Sequence, residues 1–294
     1  MDAAVVVLTY DSAGWVERAL ASVRGRETVV VDNGSTDGTV ALVRERFPDV
    51  RVVEQANSGF SGGNNRGLRE TSAPWVCLLN ADAWFAEPDG LDRLVGFAEE
   101  QPRAAVVGPR LRNLDGTLQR SVRGFPGLWP LATEYLFLRK LAPGSGRLNP
   151  LYAGGFDHAS PRQADWLYGA CLLVRRAAVE QVGGLDEEFF MFSEETDWCY
   201  RFAAAGWETW FAPVADVVHV GGASHGGRLF RENLRGHLRF LAKHRGARTA
   251  ERARRLLRAS LALRGLLFRG ERGRQYRDAA RWLGSGPVAR LLER

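Results

Sequence analysis

Short apolar runs alternate with helical patterns along the first hundred residues. Runs that are apolar at nearly every position are typical of strands covered on both faces of a parallel sheet, and they predict strands at residues 3–8, 27–31, 50–54 and 75–79. The segments between them predict helices at residues 15–23 and 39–46, and a glycine-rich loop, NSGFSGGNNRG (57–67), before a helix reaching about Glu70. This order predicts a doubly wound α/β sheet with right-handed crossovers, whose ligands lie beyond the carboxyl ends of the strands.

The second half of the chain continues the pattern and then changes character. It predicts strands at residues 104–109 and 170–175, and helices at 90–101, 177–182 and 197–205. Residues 120–162 lack periodicity and are expected to form a long functional loop or a small subdomain. From about Leu229 the chain predicts basic helices. The expected division is a catalytic domain over residues 1–227, with a nucleotide-binding half to about 110 and an acceptor half beyond it, and a helical tail over 228–294.

Composition indicates a folded protein with an uneven distribution of charge. The 294 residues are 45% hydrophobic and 25% charged, which suits a large buried core. The net charge is +6, yet residues 228–294 carry 19 Lys and Arg against 5 Asp and Glu, while residues 1–227 carry 21 against 29. The basic tail is therefore expected to seek a polyanionic partner. Cys77, Cys171 and Cys199 have no CxxC spacing, which favours buried thiols in a reducing cytoplasm over a disulfide or zinc site.

The tail has a basic amphipathic pattern. Its arginines and apolar residues are Arg252, Arg254, Arg255 and Arg258, beside Leu256, Leu257, Leu261, Leu263, Leu266, Leu267 and Phe268. This pattern favours an anionic membrane surface as partner over a solvated helix that packs one stripe on the body. Nucleic acid is not expected, because no nucleic-acid module accompanies the arginines. The N-terminal segment lacks the features of a signal peptide and no uncharged run could span a bilayer, so the expected location is the cytoplasm, peripheral on the inner face of the plasma membrane.

Two oxygen-bearing side chains follow the strand predicted at residues 75–79. Asn80 and Asp82 stand one residue apart in LLNADAW, where carboxylate and amide oxygens could hold Mg²⁺ or Mn²⁺ against a diphosphate. Capping of the next segment is the alternative role for this pair. Because Asn80 is neutral, the metal would depend largely on the diphosphate for its affinity. His219 follows a short β-like run and could add a metal or phosphate ligand, although a lone histidine is usually structural.

An acidic cluster lies beside aromatic residues in LDEEFFMFSEETDWCYR. A carboxylate in an aromatic pocket is shielded from water and suited to act as a general base. Glu194 and Glu195 follow FFMF directly, and Asp197 has helix capping as its alternative role. Asp32 ends the second predicted strand and opens the turn NGSTDGT, where an exposed carboxylate could bind a base or a ribose; simple turn chemistry is the alternative.

The motifs in this order resemble those of the inverting family 2 glycosyltransferases, particularly bacterial rhamnosyltransferases. They are VVVLTYDS, VVVDNGSTDGT, NSGFSGGNNRG, LLNADAW, YGACLLVRR, GGLDEEFFMFSEETDWCYR and VVHVGGAS, and they span residues 3 to about 224. The resemblance implies a nucleotide-diphospho-sugar transferase fold of the GT-A type. It also implies a nucleotide-sugar site that includes Thr9, Tyr10, Asp32, Asn57, Gly59 and Asn80.

The resemblance implies roles for the remaining candidates as well. Asp82 becomes the main metal ligand, His219 a further one, and Glu195 the catalytic base. The chain departs from the family pattern at Asn80, where the first acid of the metal motif often stands, and at Glu195, where relatives commonly carry Asp. The second departure moves the base by one methylene and leaves Glu194 and Asp197 as alternatives.

The function implied by the resemblance is inverting sugar transfer. The favoured reaction moves L-rhamnose from dTDP-L-rhamnose to a glycan or polyprenyl-diphosphate-linked acceptor, with Mg²⁺ or Mn²⁺ as cofactor. UDP-galactofuranose, UDP-glucose and UDP-GlcNAc are alternative donors. A sugar nucleotidyltransferase is a different class, but LTYDSAGW after the first strand lacks the Gly-rich basic loop that such an enzyme needs. A non-catalytic carbohydrate- or membrane-binding relative is the third class, and the exposed basic helices could also support an oligomer.

Overall fold

The computed structural model of this protein describes residues 3–221 and 227–293. The described residues form two compact units. The first contains those within Met1–Val122, His158–Phe190 and Glu194–Ala223, and the second those within Arg123–Asp157, Met191–Ser193 and Ser224–Arg294. The sequence predicts a single division at residue 228, whereas residues 123–157 and Met191–Ser193 also group with the C-terminal helices.

A mixed, mostly parallel sheet forms the centre of the first unit. The strands of the described chain are β1 (Ala3–Thr9), β2 (Thr28–Asp32), β3 (Arg51–Glu54), β4 (Trp75–Asn80), β5 (Ala83–Phe85), β6 (Ala104–Arg112), β7 (Leu118–Gln119), β8 (Val122–Arg123), β9 (Arg162–Ala164), β10 (Trp166–Leu167), β11 (Cys171–Arg175) and β12 (Glu208–His219). The main sheet has the order β3-β2-β1-β4-β11-β6-β12-β5. Strands β1 to β4 and the pair β6–β12 run parallel, while β11 is antiparallel to both of its neighbours. The predicted α/β fold with a mostly parallel sheet is confirmed.

Strand register brings the candidate polar residues to one edge of this sheet. Thr9 is paired with Asp32, and Leu8 with Asn80, so the carboxyl ends of β1, β2 and β4 meet there. The apolar residues of β1 and β2 are buried, except for the partly buried Leu8, as their unbroken hydrophobic runs predict for strands covered on both faces. The edge is therefore carried by a rigid core, which suits it to hold a binding site.

One set of helices packs on the sheet of the first unit. Another set builds the second unit. The helices are α1 (Val16–Ser22), α2 (Thr39–Arg46), α3 (Gly59–Arg69), α4 (Gly90–Glu99), α5 (Leu128–Tyr135), α6 (Arg176–Val182), α7 (Glu194–Ala204), α8 (Gly227–Arg245), α9 (Ala247–Leu267), α10 (Gly270–Leu283) and α11 (Val288–Leu292), with short 3₁₀ helices at Leu138–Lys140 and Pro150–Gly155. Among the residues described, no helix is both long and apolar enough to cross a bilayer.

The glycine-rich segment predicted as a loop is helical from Gly59 onward. This part of the prediction is wrong because the glycines serve close packing and not chain flexibility. A Cβ on Gly63 would lie 2.2 Å from Leu8 Cδ1, and a Cβ on Gly67 would lie 2.2 Å from Val6 Cγ1. Helix α3 therefore lies directly on β1, and this contact outweighs the low helix propensity of glycine.

The second unit is built from the C-terminal helices and residues 123–157. Leu234, Leu238 and Leu241 of α8 are fully buried. Helix α9 packs against α8, α10 and α5. At the contact with α5, Arg264 Nε donates a 2.8 Å hydrogen bond to the carbonyl oxygen of Tyr135. Part of the basic tail therefore builds a core of its own and does not form a free solvated helix.

Candidate active site

The loops after β1 and β2 are tied to each other by hydrogen bonds. The backbone N–H of Asp11 donates to Ser35 Oγ (2.9 Å), and that of Thr36 donates to Asp11 Oδ1 (2.7 Å). The N–H of Ala13 donates to Asp37 Oδ2 (2.9 Å). Two loops that are rich in turn-forming residues thus form one fixed wall at the carboxyl edge of the sheet.

Asp32 lies inside this wall. The residue is 2% exposed, and its carboxylate accepts hydrogen bonds from Thr9 Oγ1 (2.7 Å), Gly34 N (3.0 Å) and Ser35 N (2.8 Å). The prediction of an exposed carboxylate is wrong, because the turn after β2 folds the side chain back onto its own backbone. Thr9 is also buried as a donor to Asp32. The nucleotide-binding roles of these two residues stay predictions.

Tyr10, Asn57 and Gly59 occupy different environments near the same edge. Tyr10 is 56% exposed. Asn57 is exposed, and its Oδ1 accepts a hydrogen bond from Gly59 N (3.0 Å). Gly59 is buried with φ +77°, and a Cβ there would lie 2.4 Å from the carbonyl oxygen of Phe190. Tyr10 and Asn57 are accessible to a ligand, whereas Gly59 has a packing reason for being glycine.

Helix α3 holds the segment that leads to the acidic cluster. Ser61 Oγ donates to the carbonyl oxygen of Phe189 (2.6 Å). Asn65 bonds both backbone groups of Leu185, at 2.8 Å each, and donates to Glu187 Oε1 (2.9 Å). The motif NSGFSGGNNRG thus fixes the segment LDEEFF in place by hydrogen bonds, a role that could not be predicted from the sequence.

Glu194 and Glu195 are buried in the first turn of α7, which begins three residues before its predicted start. They are 4% and 8% exposed. Burial, followed by the charge of Glu195, raises the pKa of Glu194 well above its usual range. A Cβ on Gly169 would lie 3.7 Å from Glu195 Oε1 and 3.6 Å from Phe60 Cζ. The Glu195 carboxylate therefore lies beside Gly169 and is largely shielded from water, as expected of a tuned base.

Asp197 lies on the same helix but has a different environment. It is fully buried, and its Oδ2 accepts a 2.8 Å hydrogen bond from Arg201 Nε. The same guanidinium donates to the carbonyl oxygens of Val182 and Gly184. This arrangement ties α7 to the preceding segment, so Asp197 is a structural anchor in the geometry observed.

Two residues before Glu194 adopt a left-handed backbone conformation. Phe192 has φ 71° and Ser193 has φ 70°, which is unusual for residues other than glycine. Helix α8 approaches them closely, since a Cβ on Gly236 would lie 2.6 Å from the Phe192 carbonyl oxygen and 2.7 Å from Ser193 Oγ. The turn formed by Phe192 and Ser193 thus packs against helix α8.

Asp82 and His219 are brought together by the antiparallel pairing of β5 with β12. Ala83 is paired with His219, and Asp82 O accepts a hydrogen bond from Val220 N (3.0 Å). His219 Nε2 then lies 3.4 Å from Asp82 Oδ1. Residues 222–224, the end of the motif VVHVGGAS, lie outside the described residues.

Gln119 determines which nitrogen of His219 faces Asp82. His219 Nδ1 lies 2.7 Å from Gln119 Oε1, which can only accept, so Nδ1 carries a proton and Nε2 is the nitrogen that faces Asp82. Gln119 is itself held by Asn113 Oδ1 (2.9 Å). Gln119 could not be selected from the sequence, because a glutamine in the two-residue strand β7 has no local pattern that indicates a functional role.

His219 Nε2 and the Asp82 carboxylate are the kinds of ligand that a hard or borderline divalent cation takes. They lie 3.4 Å apart, close enough to share a cation or a proton. Among the described residues no group of three or more His, Cys, Asp or Glu side chains could hold a metal ion. Two protein ligands alone would leave most coordination positions of Mg²⁺ or Mn²⁺ to a ligand such as a diphosphate.

The segment Tyr168–Ala170 connects these groups. The Tyr168 ring lies 6.1 Å from the His219 ring. Gly169 lies beside Glu195, and the Ala170 carbonyl oxygen accepts a hydrogen bond from Asn80 N (2.9 Å). Three consecutive residues thus lie near His219, the candidate base Glu195 and the end of β4.

The sheet is that of a glycosyltransferase with a GT-A-like fold. The chain belongs to glycosyl transferase family 2, whose family model matches residues 4–183. It is similar to the N-acetylglucosaminyl-diphospho-decaprenol L-rhamnosyltransferase of Mycobacterium tuberculosis (strain ATCC 25618 / H37Rv), with 34% identity over 90% of this chain and 92% of the relative. It is also similar to rhamnosyltransferase WbbL of Escherichia coli (strain K12), with 32% identity over 82% of this chain and 93% of the relative.

Solved structures support the fold. The mannosyltransferase PcManGT from Pyrobaculum calidifontis, in complex with GDP-Man and Mn²⁺, matches with a TM-score of 0.57 at 18% identity, over 98% of this chain and 84% of that one. GalNAc-T7 with UDP, GalNAc and Mn²⁺ matches with a TM-score of 0.59 at 14% identity, over 82% of this chain and 47% of that one. The expected GT-A-like fold and the expected rhamnosyltransferase-like family are therefore confirmed.

Proposed function

We propose that this protein transfers L-rhamnose from dTDP-L-rhamnose to an N-acetylglucosaminyl-diphospho-polyprenol, with inversion at the anomeric carbon. The observation that supports the reaction type is the segment Tyr168–Ala170, in which Tyr168 lies near His219 and Gly169 lies near Glu195. The observation that supports the sugar and the acceptor is the 34% identity over 90% of the chain to a relative named as an N-acetylglucosaminyl-diphospho-decaprenol L-rhamnosyltransferase. The nucleotide dTDP is the one that the family resemblance implies.

Glu195 is the proposed base. Its carboxylate takes the proton of the acceptor hydroxyl while that oxygen forms a bond to the anomeric carbon, and the bond from the anomeric carbon to the diphosphate oxygen breaks with its electron pair leaving on the nucleoside diphosphate. Glu194 is less suited because burial raises its pKa and disfavours its charged form. Asp197 is less suited because Arg201 holds it.

Asp82 and His219 are the proposed holders of Mg²⁺ or Mn²⁺, and the backbone of Asn80 aligns the same strand end. A bound divalent ion would neutralise the charge that develops on the departing diphosphate. Gln119 holds the His219 ring with Nε2 facing Asp82. Chelation by EDTA is expected to abolish transfer and addition of Mn²⁺ to restore it; full activity in EDTA would argue for a metal-free transferase.

Tyr10 and Asn57 are the residues we assign to the nucleoside, because both are accessible beside the wall of loops. UDP-galactofuranose, UDP-glucose and UDP-GlcNAc are the alternative donors. The protein is proposed to act on the cytoplasmic side of the membrane, where its lipid-linked acceptor would be held at the bilayer.

The test uses the purified chain with a panel of nucleotide sugars and a short-chain N-acetylglucosaminyl-diphospho-polyprenol, followed by mass spectrometry of the lipid product. Addition of a deoxyhexose from dTDP-L-rhamnose alone is expected. Glu195→Gln should lower kcat by about 10²–10⁴ and leave the donor KM within a few-fold. Glu188→Gln, an exposed acid of the same segment, is the matched control and should behave as wild type.

Two results would contradict the proposal in different ways. Transfer of a different sugar would overturn the donor while leaving the reaction type intact. A near-normal kcat for Glu195→Gln would reassign the base, and a loss in Glu194→Gln of the same size would move the role to its neighbour.

A further inference from the structure

Large apolar side chains that face solvent are concentrated in the second unit. Eight large hydrophobic residues are exposed among those described, and six of them belong to this unit: Trp129, Leu136, Leu141, Leu263, Leu266 and Leu267. Single exposed hydrophobic residues are normal on a protein surface, whereas a concentration of them marks an interaction site.

Helix α9 separates its leucines into two sets. Leu257 and Leu261 are fully buried in the core of the unit. Leu263, Leu266 and Leu267 have spacings of three and four residues, so they share one side of the last turns of the helix, and Leu266 is 81% exposed. The amphipathic pattern seen in the sequence therefore includes core leucines, and only the outward set can meet a partner.

A second segment with exposed leucines meets the end of α9. Leu141, which follows the 3₁₀ helix Leu138–Lys140, is 77% exposed. The two segments are joined at Phe137, whose ring lies 4.0 Å from the Arg264 guanidinium carbon and 5.9 Å from the Phe268 ring. Leu136 and Leu141 flank this junction on one chain segment and Leu266 and Leu267 on the other.

Cationic residues surround these leucines. Lys140 and Arg269 are exposed and lie next to Leu141 and Phe268 in the chain. Arg258 is exposed on an earlier turn of α9, about 12 Å along the helix axis from Leu266 at 1.5 Å per residue. Exposed leucines with long cationic side chains at their border are complementary to the boundary between acyl chains and anionic headgroups.

We propose that Leu136, Leu141, Leu263, Leu266 and Leu267 form a leucine patch that inserts into an anionic lipid bilayer. The bordering cations Lys140, Arg258 and Arg269 contact lipid phosphates while the leucines enter the acyl boundary. This surface lies partly in residues 123–157 and so is not the tail alone. It requires neither the donor nor the acceptor, so it stands apart from the proposed rhamnosyl transfer.

The test is flotation of the full chain with vesicles of phosphatidylcholine alone or with about one-third phosphatidylglycerol. Leu266→Gln/Leu267→Gln is the main variant, because glutamine has nearly the helix propensity of leucine and the sites are exposed. We expect at least a tenfold loss of binding to the anionic vesicles. Leu114→Gln, at an exposed leucine of the first unit, is the matched control and should bind as wild type.

A second measurement places the surface directly. Leu266→Cys labelled with a fluorophore should show fluorescence quenched by spin-labelled lipids in anionic vesicles, and Leu114→Cys labelled in the same way should not be quenched; the three native cysteines are buried. Wild-type binding by Leu266→Gln/Leu267→Gln, or equal quenching at both positions, would overturn the proposal. So would a change from dimer to monomer in the double glutamine variant on sedimentation without any change in lipid binding, because the patch would then be covered by a second copy of the chain.

Discussion

Gly59 offers the sharpest test of how the sheet edge is assembled. It has φ +77°, and a Cβ would lie 2.4 Å from the Phe190 carbonyl oxygen and 2.6 Å from Phe190 Cδ2. Alanine in the left-handed region costs about 1–2 kcal/mol, and forcing extra volume against backbone costs about 1–3 kcal/mol. Because the Phe190 oxygen accepts the Phe60 N–H, it cannot move without breaking that bond. We therefore expect Gly59→Ala to lower the free energy of unfolding by about 3 kcal/mol.

The assay is thermal unfolding followed by calorimetry or circular dichroism. For a protein of this size a loss of about 3 kcal/mol corresponds to a Tm lower by roughly 6–12 °C. Gly96→Ala is the matched control, because Gly96 lies inside α4 with nothing within 4 Å of a new Cβ. There alanine should raise the Tm by a few degrees through helix propensity, at up to about 1 kcal/mol. Equal Tm values for Gly59→Ala and wild type would refute the reasoning.

Three further predictions follow from single contacts. Burial raises the pKa of Glu194. The folded protein is therefore most stable with Glu194 protonated, below about pH 4.5, and its free energy of unfolding falls as pH rises toward the raised pKa. The Tm of Glu194→Gln minus the Tm of wild type should increase from pH 5 to pH 8, and a constant difference would refute this. Burial lowers the pKa of His237 to about 4, and its buried Nδ1 has no hydrogen bond to a described residue. The free energy of unfolding should therefore be full above about pH 6.5 and fall as pH decreases toward 4. In urea titrations His237→Phe should make the free energy of unfolding less dependent on pH over this range. Gln119→Leu should weaken Mn²⁺ binding in the presence of dTDP by about 10–100-fold on calorimetry, whereas Gln119→Glu, which keeps an acceptor, should retain it; wild-type affinity in Gln119→Leu would remove the residue from the site.

The parallel half of the sheet could be predicted because its signal is local. The runs around Val6, Val30 and Leu78 are apolar without a break, and strands of this kind are covered on both faces. The direction of β11 could not be predicted, since a short apolar run looks the same in parallel and antiparallel strands. The helix at Gly59–Arg69 was missed for a related reason: its stability comes from contacts with β1, which are distant in sequence.

The candidate site shows the same limit at the level of single residues. Asp82, His219 and the glutamate pair could be selected because their chemistry is unusual for their positions in the pattern. The burial of Asp32 could not, because its partner Thr9 lies 23 residues away. Gln119 acquires its role only through contact with His219, 100 residues along the chain.

The close packing of Phe192 and Ser193 against Gly236 limits how far this protein can be shortened. A fragment that ends before α8 keeps every motif of the family but leaves those two strained residues without their support, because Gly236 is missing. The backbone at Phe192 and Ser193 would then be free to relax toward ordinary angles. A shortened chain that keeps only the motifs is therefore expected to lose the backbone conformation that precedes Glu194.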